Sequence, residues 1–136
     1  LVQNVDSVSE DPAAFTCPTE RKPTPEEMDE LMFAWRVCKG VKSNAILISK
    51  GKAGIGMGPG QPNRVDSALL ACERADEACE RMGVEKGGYA CAPASFSRAD
   101  LSAMMRALRL AMSMALPWCL LVIATSATNG VQGVLT

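Results

Sequence analysis

Apolar residues Met28, Leu31, Met32, Trp35 and Cys38 recur at three- and four-residue intervals, and Glu26, Asp29, Glu30 and Arg36 fall off that stripe. The spacing predicts an amphipathic helix with one face against a core. Three features mark its start. Thr24 can cap, Pro25 suits a first helical position whose N–H would have no partner anyway, and Glu27 can reach back to the Thr24 amide. Gly40 supplies a stop. Ala45 to Ser49, AILIS, is instead a continuous apolar run with two isoleucines. It predicts a strand buried on both faces, with Lys50-Gly51-Lys52 turning into a second strand.

Gly54-Ile55-Gly56-Met57-Gly58 holds too many glycines for a regular packed strand. It predicts a loop in which glycine permits close backbone approach or positive φ, closed by Gly60-Gln61-Pro62. Asn63 can cap a second helix, with Asp66 three residues on. Val65, Ala68, Leu69, Cys72, Ala75 and Cys79 form its apolar stripe down to about Met82. Before the first helix, Leu1 to Val8 reads as a short strand that Ser9, Asp11 and Pro12 cut off. After Pro93 the texture changes to Ser and Arg interleaved with Met and Leu. Leu110 to Ala124 becomes an apolar run broken by Pro117, shorter than the roughly 20 residues of a membrane span.

A chain of 136 residues has room for one core. Lys and Arg total 14 against 15 Asp and Glu, so no bulk charge draws it to nucleic acid or to an anionic membrane face. There is no histidine, which removes imidazole base chemistry and the commonest zinc ligand. The six cysteines include no C-x-x-C pair, and they read as reduced thiols of a cytoplasmic chain. Cys72 and Cys79, two turns apart on one helix face, read as small core residues, and no metal is predicted.

Two places carry candidate chemistry. The glycine stretch, followed by Asn63-Arg64 and a helix start, combines backbone amides, a positive helix end and a planar guanidinium fork. That set suits an anionic or polar ligand. On motif alone the pattern matches neither common phosphate-binding fingerprint, and a turn before a capped helix is its more frequent meaning. Asn44, at the entry of the AILIS strand, can donate and accept at once, as recognition of a carboxamide requires. An asparagine bonded to its own backbone in a turn is the common alternative.

The blocks ERKPT, FAWRV, VKSNAI, GIGMGPGQ and RVDS, in this order and at this spacing, resemble the formyltransferase part of the bifunctional purine biosynthesis enzymes (AICAR formyltransferase/IMP cyclohydrolase). LVQNVDSVSED fits the strand and linker that lead into that region. The resemblance runs from Leu1 to about Ala92, which makes 1–92 a fragment of the formyltransferase domain and 93–136 an out-of-family tail. It implies an α/β fold, a partial cytidine-deaminase-like layer of helix, β-hairpin, glycine loop and helix, with an irregular or helical tail. The implied reaction moves a formyl group from 10-formyltetrahydrofolate, as co-substrate, to AICAR ribotide, and then closes the ring to IMP. The resemblance also implies an intact enzyme that is a homodimer, with active sites formed across the interface.

Residue by residue, Arg64 takes the place of the arginine that borders the ribotide, and Asn44 that of the asparagine in the family's K-S-N motif. Lys42 and Gln61 are implied to support the loops around them. Gly40 stands where the family commonly has His, and Pro59 and Pro62-Asn63 replace a small residue and Met-Ser. Such prolines stiffen the loop and remove amide donors. The family's catalytic Lys-His pair belongs to a segment upstream of this one, so no catalytic residue is assigned here. Two readings follow: a fragment of the enzyme, or a non-catalytic truncated remnant that binds ligand weakly or self-associates.

The tail carries a further expectation. Met114 to Asn129 can be encoded so that reading from the third nucleotide spells GIAMVFTGDRHFRH and then a stop. That string is similar to the family's C-terminal end. The same offset on Ser97 to Met105 permits PGGSVRDD, similar to the family's preceding glycine motif. A deletion that removed an S-D-A-F-F-P-F segment and shifted the frame accounts for both. Sequencing the gene is expected to find codons at Met114 to Asn129 that spell the shifted motif, and any other codon choice there rejects the idea.

Overall fold

Helix α1, Pro25–Lys39, begins with a complete capping box in the computed structural model. Glu27 N donates to Thr24 Oγ1 at 3.2 Å, and Thr24 N donates to Glu27 Oε2 at 2.9 Å. Acidic Glu26 and Glu27 in the first turn and basic Arg36 and Lys39 in the last complement the helix dipole. Gly40 ends the helix as expected, at φ −84°, in a right-handed conformation. Leu31, Met32, Ala34, Trp35 and Cys38 are buried, and Met28 packs partly buried against them. The structure describes residues 22–93 and short strand segments at 119–121, 123–124 and 132–133. The strand expected at Leu1 to Val8 lies outside the described residues.

Strands β1, Ile46–Lys50, and β2, Ala53–Gly58, form the expected hairpin. Gly51 and Lys52 make its turn with φ 61° and 57°. Two successive left-handed residues give the tight connection whose twist matches that of the strands. Lys52 has a side chain and so does not favour this conformation, but α1 holds it there. Glu30 Oε2 accepts from Lys52 N at 2.7 Å while Glu30 Oε1 accepts from the buried Ser49 hydroxyl at 2.6 Å.

The glycine stretch differs from expectation. Gly54 to Gly58 is not a loop but lies within β2, paired with β1 from Ile46↔Gly58 to Lys50↔Ala53, with a register shift that skips Ile55. None of these glycines has positive φ; that conformation falls on Gly60, at 63°, just beyond the strand. Close approach is what they provide. A Cβ on Gly56 would stand 2.1 Å from the Ala71 carbonyl oxygen, and one on Gly58 2.1 Å from that of Ser67.

Both contacts come from helix α2, Arg64–Met82. Asn63 caps it, with Asp66 N donating to Asn63 Oδ1 at 2.9 Å, and left-handed Gly83 ends it. Its buried face is Ser67, Ala68, Ala71, Cys72, Ala75, Ala78 and Cys79. Leu69, expected on that stripe, is exposed. The contact row on a glycine strand takes small side chains, and Leu69 falls outside it.

Strand β3, Tyr89–Pro93, pairs antiparallel with β1, and β4, Cys119–Leu121, pairs parallel with β3, giving the order β2-β1-β3-β4. A separate two-stranded ladder joins β5, Ile123–Ala124, and β6, Gln132–Gly133. The described pieces of the tail are thus short extended segments. Leu47, Ala90 and Ala92 meet α1 on one face of the sheet. The alternate residues Ile46 and Ile48, opposite Gly58 and Gly56, face α2. The sheet is therefore covered on both sides, which is why every residue from Ile46 to Ser49 is buried. Among the described residues no helix is long and apolar enough to cross a membrane.

The glycine contacts make a direct prediction. Gly56→Ala, which has only backbone and Ala75 to press against, is expected to cost about 3 kcal/mol or more. Gly54→Ala would meet only the flexible Leu47 Cδ1 at 3.3 Å, and is expected to cost less than about 1 kcal/mol. Urea unfolding midpoints of the two variants measure the difference.

Candidate functional site

Because β1 and β2 are antiparallel neighbours, the entry of β1 and the exit of β2 lie at the same end of the sheet. Lys42-Ser43-Asn44 leads into β1, and Pro59 to Pro62 runs from β2 to the Asn63 cap of α2. The two segments are tied together. Gly60 N donates to Lys42 O at 2.9 Å and Gln61 N to Asn44 O at 3.1 Å. In return Asn44 Nδ2 donates to Gln61 O at 3.0 Å and to Pro62 O at 3.2 Å. Gln61 Nε2 folds back to Pro59 O at 2.9 Å. Left-handed Gly60 packs beside Lys42, whose Cδ would lie 3.8 Å from a Cβ placed there. The Ser43–Asn44 peptide is cis.

Asn44, Gln61, Lys42 and Arg64 are therefore gathered at one end of the sheet. Asn44, Gln61 and Arg64 are half-buried, and Lys42 is exposed. Asn44 bonds neither to its own turn nor outward through its N–H groups, since both bonds go to carbonyls of the opposing loop. Arg64 stands at the first residue of α2, directly after the cap.

The loop's amides are placed differently from what its sequence suggests. Pro59 and Pro62 have none, and those of Gly60 and Gln61 turn inward to the Lys42 and Asn44 carbonyls. At the helix start, Asn63 Oδ1 takes the Asp66 amide and Asn63 Nδ2 donates to Asp66 Oδ2 at 2.7 Å. The cationic side chains Lys42 and Arg64 stand at this same end.

Sequence reasoning missed Ser67. Its hydroxyl lies 3.0 Å from Asn44 O and 3.1 Å from Asn63 O, and the residue is fully buried. The available signal was a lone hydroxyl among the Ala and Cys of the α2 stripe. Arg74 was also missed. Its Nη1 donates to Met57 O at 2.6 Å beside an open groove of about 340 Å³, which Gly54, Ile55, Gly56 and Met57 line with Arg74, Glu77 and Arg81.

The thiols are placed for packing. Cys38, Cys72, Cys79 and Cys91 are buried and unpaired in disulfides, and among the described residues no cluster could hold a metal ion. Burial pushes the Cys38 thiol up to about 12, outweighing the opposing backbone hydrogen bond from Leu47. Burial, and then the Cys79 sulfur 3.3 Å away, raise Tyr89 as well.

With this geometry in hand, the sequence model of the AICARFT/IMPCHase bienzyme family matches residues 1–74, a range that holds all four candidate residues. The chain belongs to that family. Its relatives are the bifunctional purine biosynthesis proteins PurH. That of Microcystis aeruginosa is 48% identical over 89 residues, which are 65% of this chain and 16% of the relative. The Synechocystis protein is 52% identical over 75 residues, 55% of this chain and 15% of the relative. That of Bartonella henselae is 44% identical over 104 residues, 74% of this chain and 19% of the relative. The chain thus spans less than a fifth of the length of these curated relatives.

The buried thiol and phenol set a pH dependence. Both acids hold their protons more tightly folded than unfolded, so their contribution to stability is complete below the ordinary thiol value of 9.0. It is lost as pH rises from there toward about 12. Denaturant midpoints are expected to fall across that range, and Cys38→Ala to flatten the part of the slope that begins near pH 9.0.

Proposed function

We propose that this segment supplies part of the ribotide-binding wall of an AICAR formyltransferase, with Arg64 and Asn44 as ligand groups and Lys42 and Gln61 as supports of the loops that carry them. The observation behind this reading is the hydrogen-bonded convergence of Lys42-Ser43-Asn44 with the Pro59 to Arg64 segment at one end of the sheet. Arg64 offers a planar fork of donors to ribotide oxygens. The Asn44 carboxamide oxygen accepts from an amine or amide N–H of the base.

In the whole enzyme the formyl carbon leaves N10 of 10-formyltetrahydrofolate and bonds to the 5-amino nitrogen of the ribotide, releasing tetrahydrofolate. Ring closure with loss of water then gives IMP. Proton transfer in that chemistry falls to groups that this sequence, with no histidine, does not contain. This stretch binds and orients; it does not turn over alone. A cytoplasmic homodimer, with sites built across the interface, is the setting in which the wall would be completed. Residues 93–136 are read as frameshifted relative to the family.

The other reading, a non-catalytic remnant, is favoured by the inward-turned amides of the proline-bounded loop, which leave few donors for a ligand. Calorimetric titration separates the two. AICAR ribotide is expected to bind the chain weakly, and Arg64→Ala to lower the affinity about tenfold, a change of about 1.4 kcal/mol. Formylation of the ribotide by the chain alone is expected to be undetectable. Affinity indifferent to Arg64→Ala, together with concentration-dependent self-association in ultracentrifugation, would select the remnant.

A further inference from the structure

We infer that Ser67 is a positioning residue whose hydroxyl locks the start of α2 to Asn44 and so sets the separation between Asn44 and Arg64. The inference rests on the reading of Asn44 and Arg64 as ligand groups. It starts from a cost. Ser67 is fully buried on a helix face otherwise made of alanine and cysteine, where an unbonded hydroxyl is unfavourable. Alanine would fill the same place with nothing to satisfy.

The hydroxyl has one proton and two carbonyls in reach, Asn63 O at 3.1 Å and Asn44 O at 3.0 Å. Asn63 O, four residues back on the same helix, is the local partner open to any serine in a helix, and it already takes the Ser67 amide at 3.3 Å. Asn44 O is different. It lies 23 residues away in the chain, at the entry of β1, and takes Gln61 N as well. Asn44 is thereby held from two sides, by the loop through Gln61 and by α2 through Ser67. Only the second bond ties it directly to the helix that carries Arg64.

Packing of α2 on the sheet does not depend on this hydroxyl. The closest approach at this point is between Gly58 and the Ser67 backbone, which Ser67→Ala leaves in place. The variant removes one donor from Asn44 O and frees the Asn44 segment to shift relative to the helix start. Ser67→Cys keeps a weak donor of similar shape, whereas threonine would add a methyl to a site with no exposed surface.

Three readouts on Ser67→Ala test the inference: hydrogen exchange at the Gln61 amide, the Asn44 side-chain amide resonances, and calorimetric titration with AICAR ribotide. Leu31→Val, in the core on the opposite face of the sheet, is the stability control. In Ser67→Ala the Gln61 amide is expected to exchange about tenfold faster, the Asn44 resonances to shift, and ribotide affinity to fall about tenfold. Leu31→Val should lower the melting temperature at least as much and leave all three unchanged, while Ser67→Cys recovers part of the loss. Unchanged Gln61 exchange and Asn44 resonances overturn the inference whatever the ribotide does, and so does altered exchange with unaltered affinity. If the parent chain binds no ribotide but both local readouts change, the lock stands and the ligand reading fails. Should Ser67→Ala not fold, the same readouts on Ser67→Cys decide.

Discussion

Helix α2 can lie where it does only because β2 has no side chains beneath it. The carbonyl oxygens of Ala71 and Ser67 lie only 2.1 Å from where Cβ atoms of Gly56 and Gly58 would be. Backbone packed on backbone leaves no room for adjustment, so the constraint runs through everything attached to the helix. It fixes the depth of α2 on the sheet, limits its contact row to alanine, serine and cysteine, and brings the Asn63 cap and Arg64 beside the entry of β1. The opposite face tolerates more. There Leu31, Met32 and Trp35 of α1 fill the space over Leu47, Ala90 and Ala92 with side chains that can repack.

Polar contacts finish what this packing begins. Glu30 holds the left-handed turn of the hairpin at one end of the sheet through the Lys52 amide and the Ser49 hydroxyl. At the other end Asn44 is the hub, donating to Gln61 and Pro62 carbonyls and accepting from the Gln61 amide and Ser67 hydroxyl. Each bond crosses between segments that are distant in the chain. The cost of ordering both segments is thus shared with a fold that has already brought them close. The same bonds turn the Gly60 and Gln61 amides inward.

Much of this was legible in the chain. The Thr24-Pro25-Glu27 start, the Asn63-Asp66 cap, the buried AILIS strand and the Lys50-Gly51-Lys52 turn are local signals. Their physics involves residues within about one helical turn or one hairpin of each other. The blocks that mark the family lie in the same stretch, and they singled out the four residues that the fold gathers. The glycine strand was the main difference. Its composition argues against a strand, because glycine has no side chain to pack and loses more freedom on ordering, and that argument holds for an isolated segment. The penalty is overcome only when a helix is at hand to press into the gap.

The sequence by itself determined where the two helices start and stop, the buried AILIS strand, most of the apolar helix faces and which family's residues are present, since caps and periodicities act over short distances. Tertiary structure alone decided that Gly54 to Gly58 would be a strand rather than a loop, that Leu69 would face solvent, and that Ser67 would reach a carbonyl at the entry of β1. It also decided that the Asn44 amide nitrogen would be taken by the Gln61 and Pro62 carbonyls. Those outcomes depend on how near two distant backbones come, a quantity set by the fit of whole surfaces and carried by no single residue or short pattern.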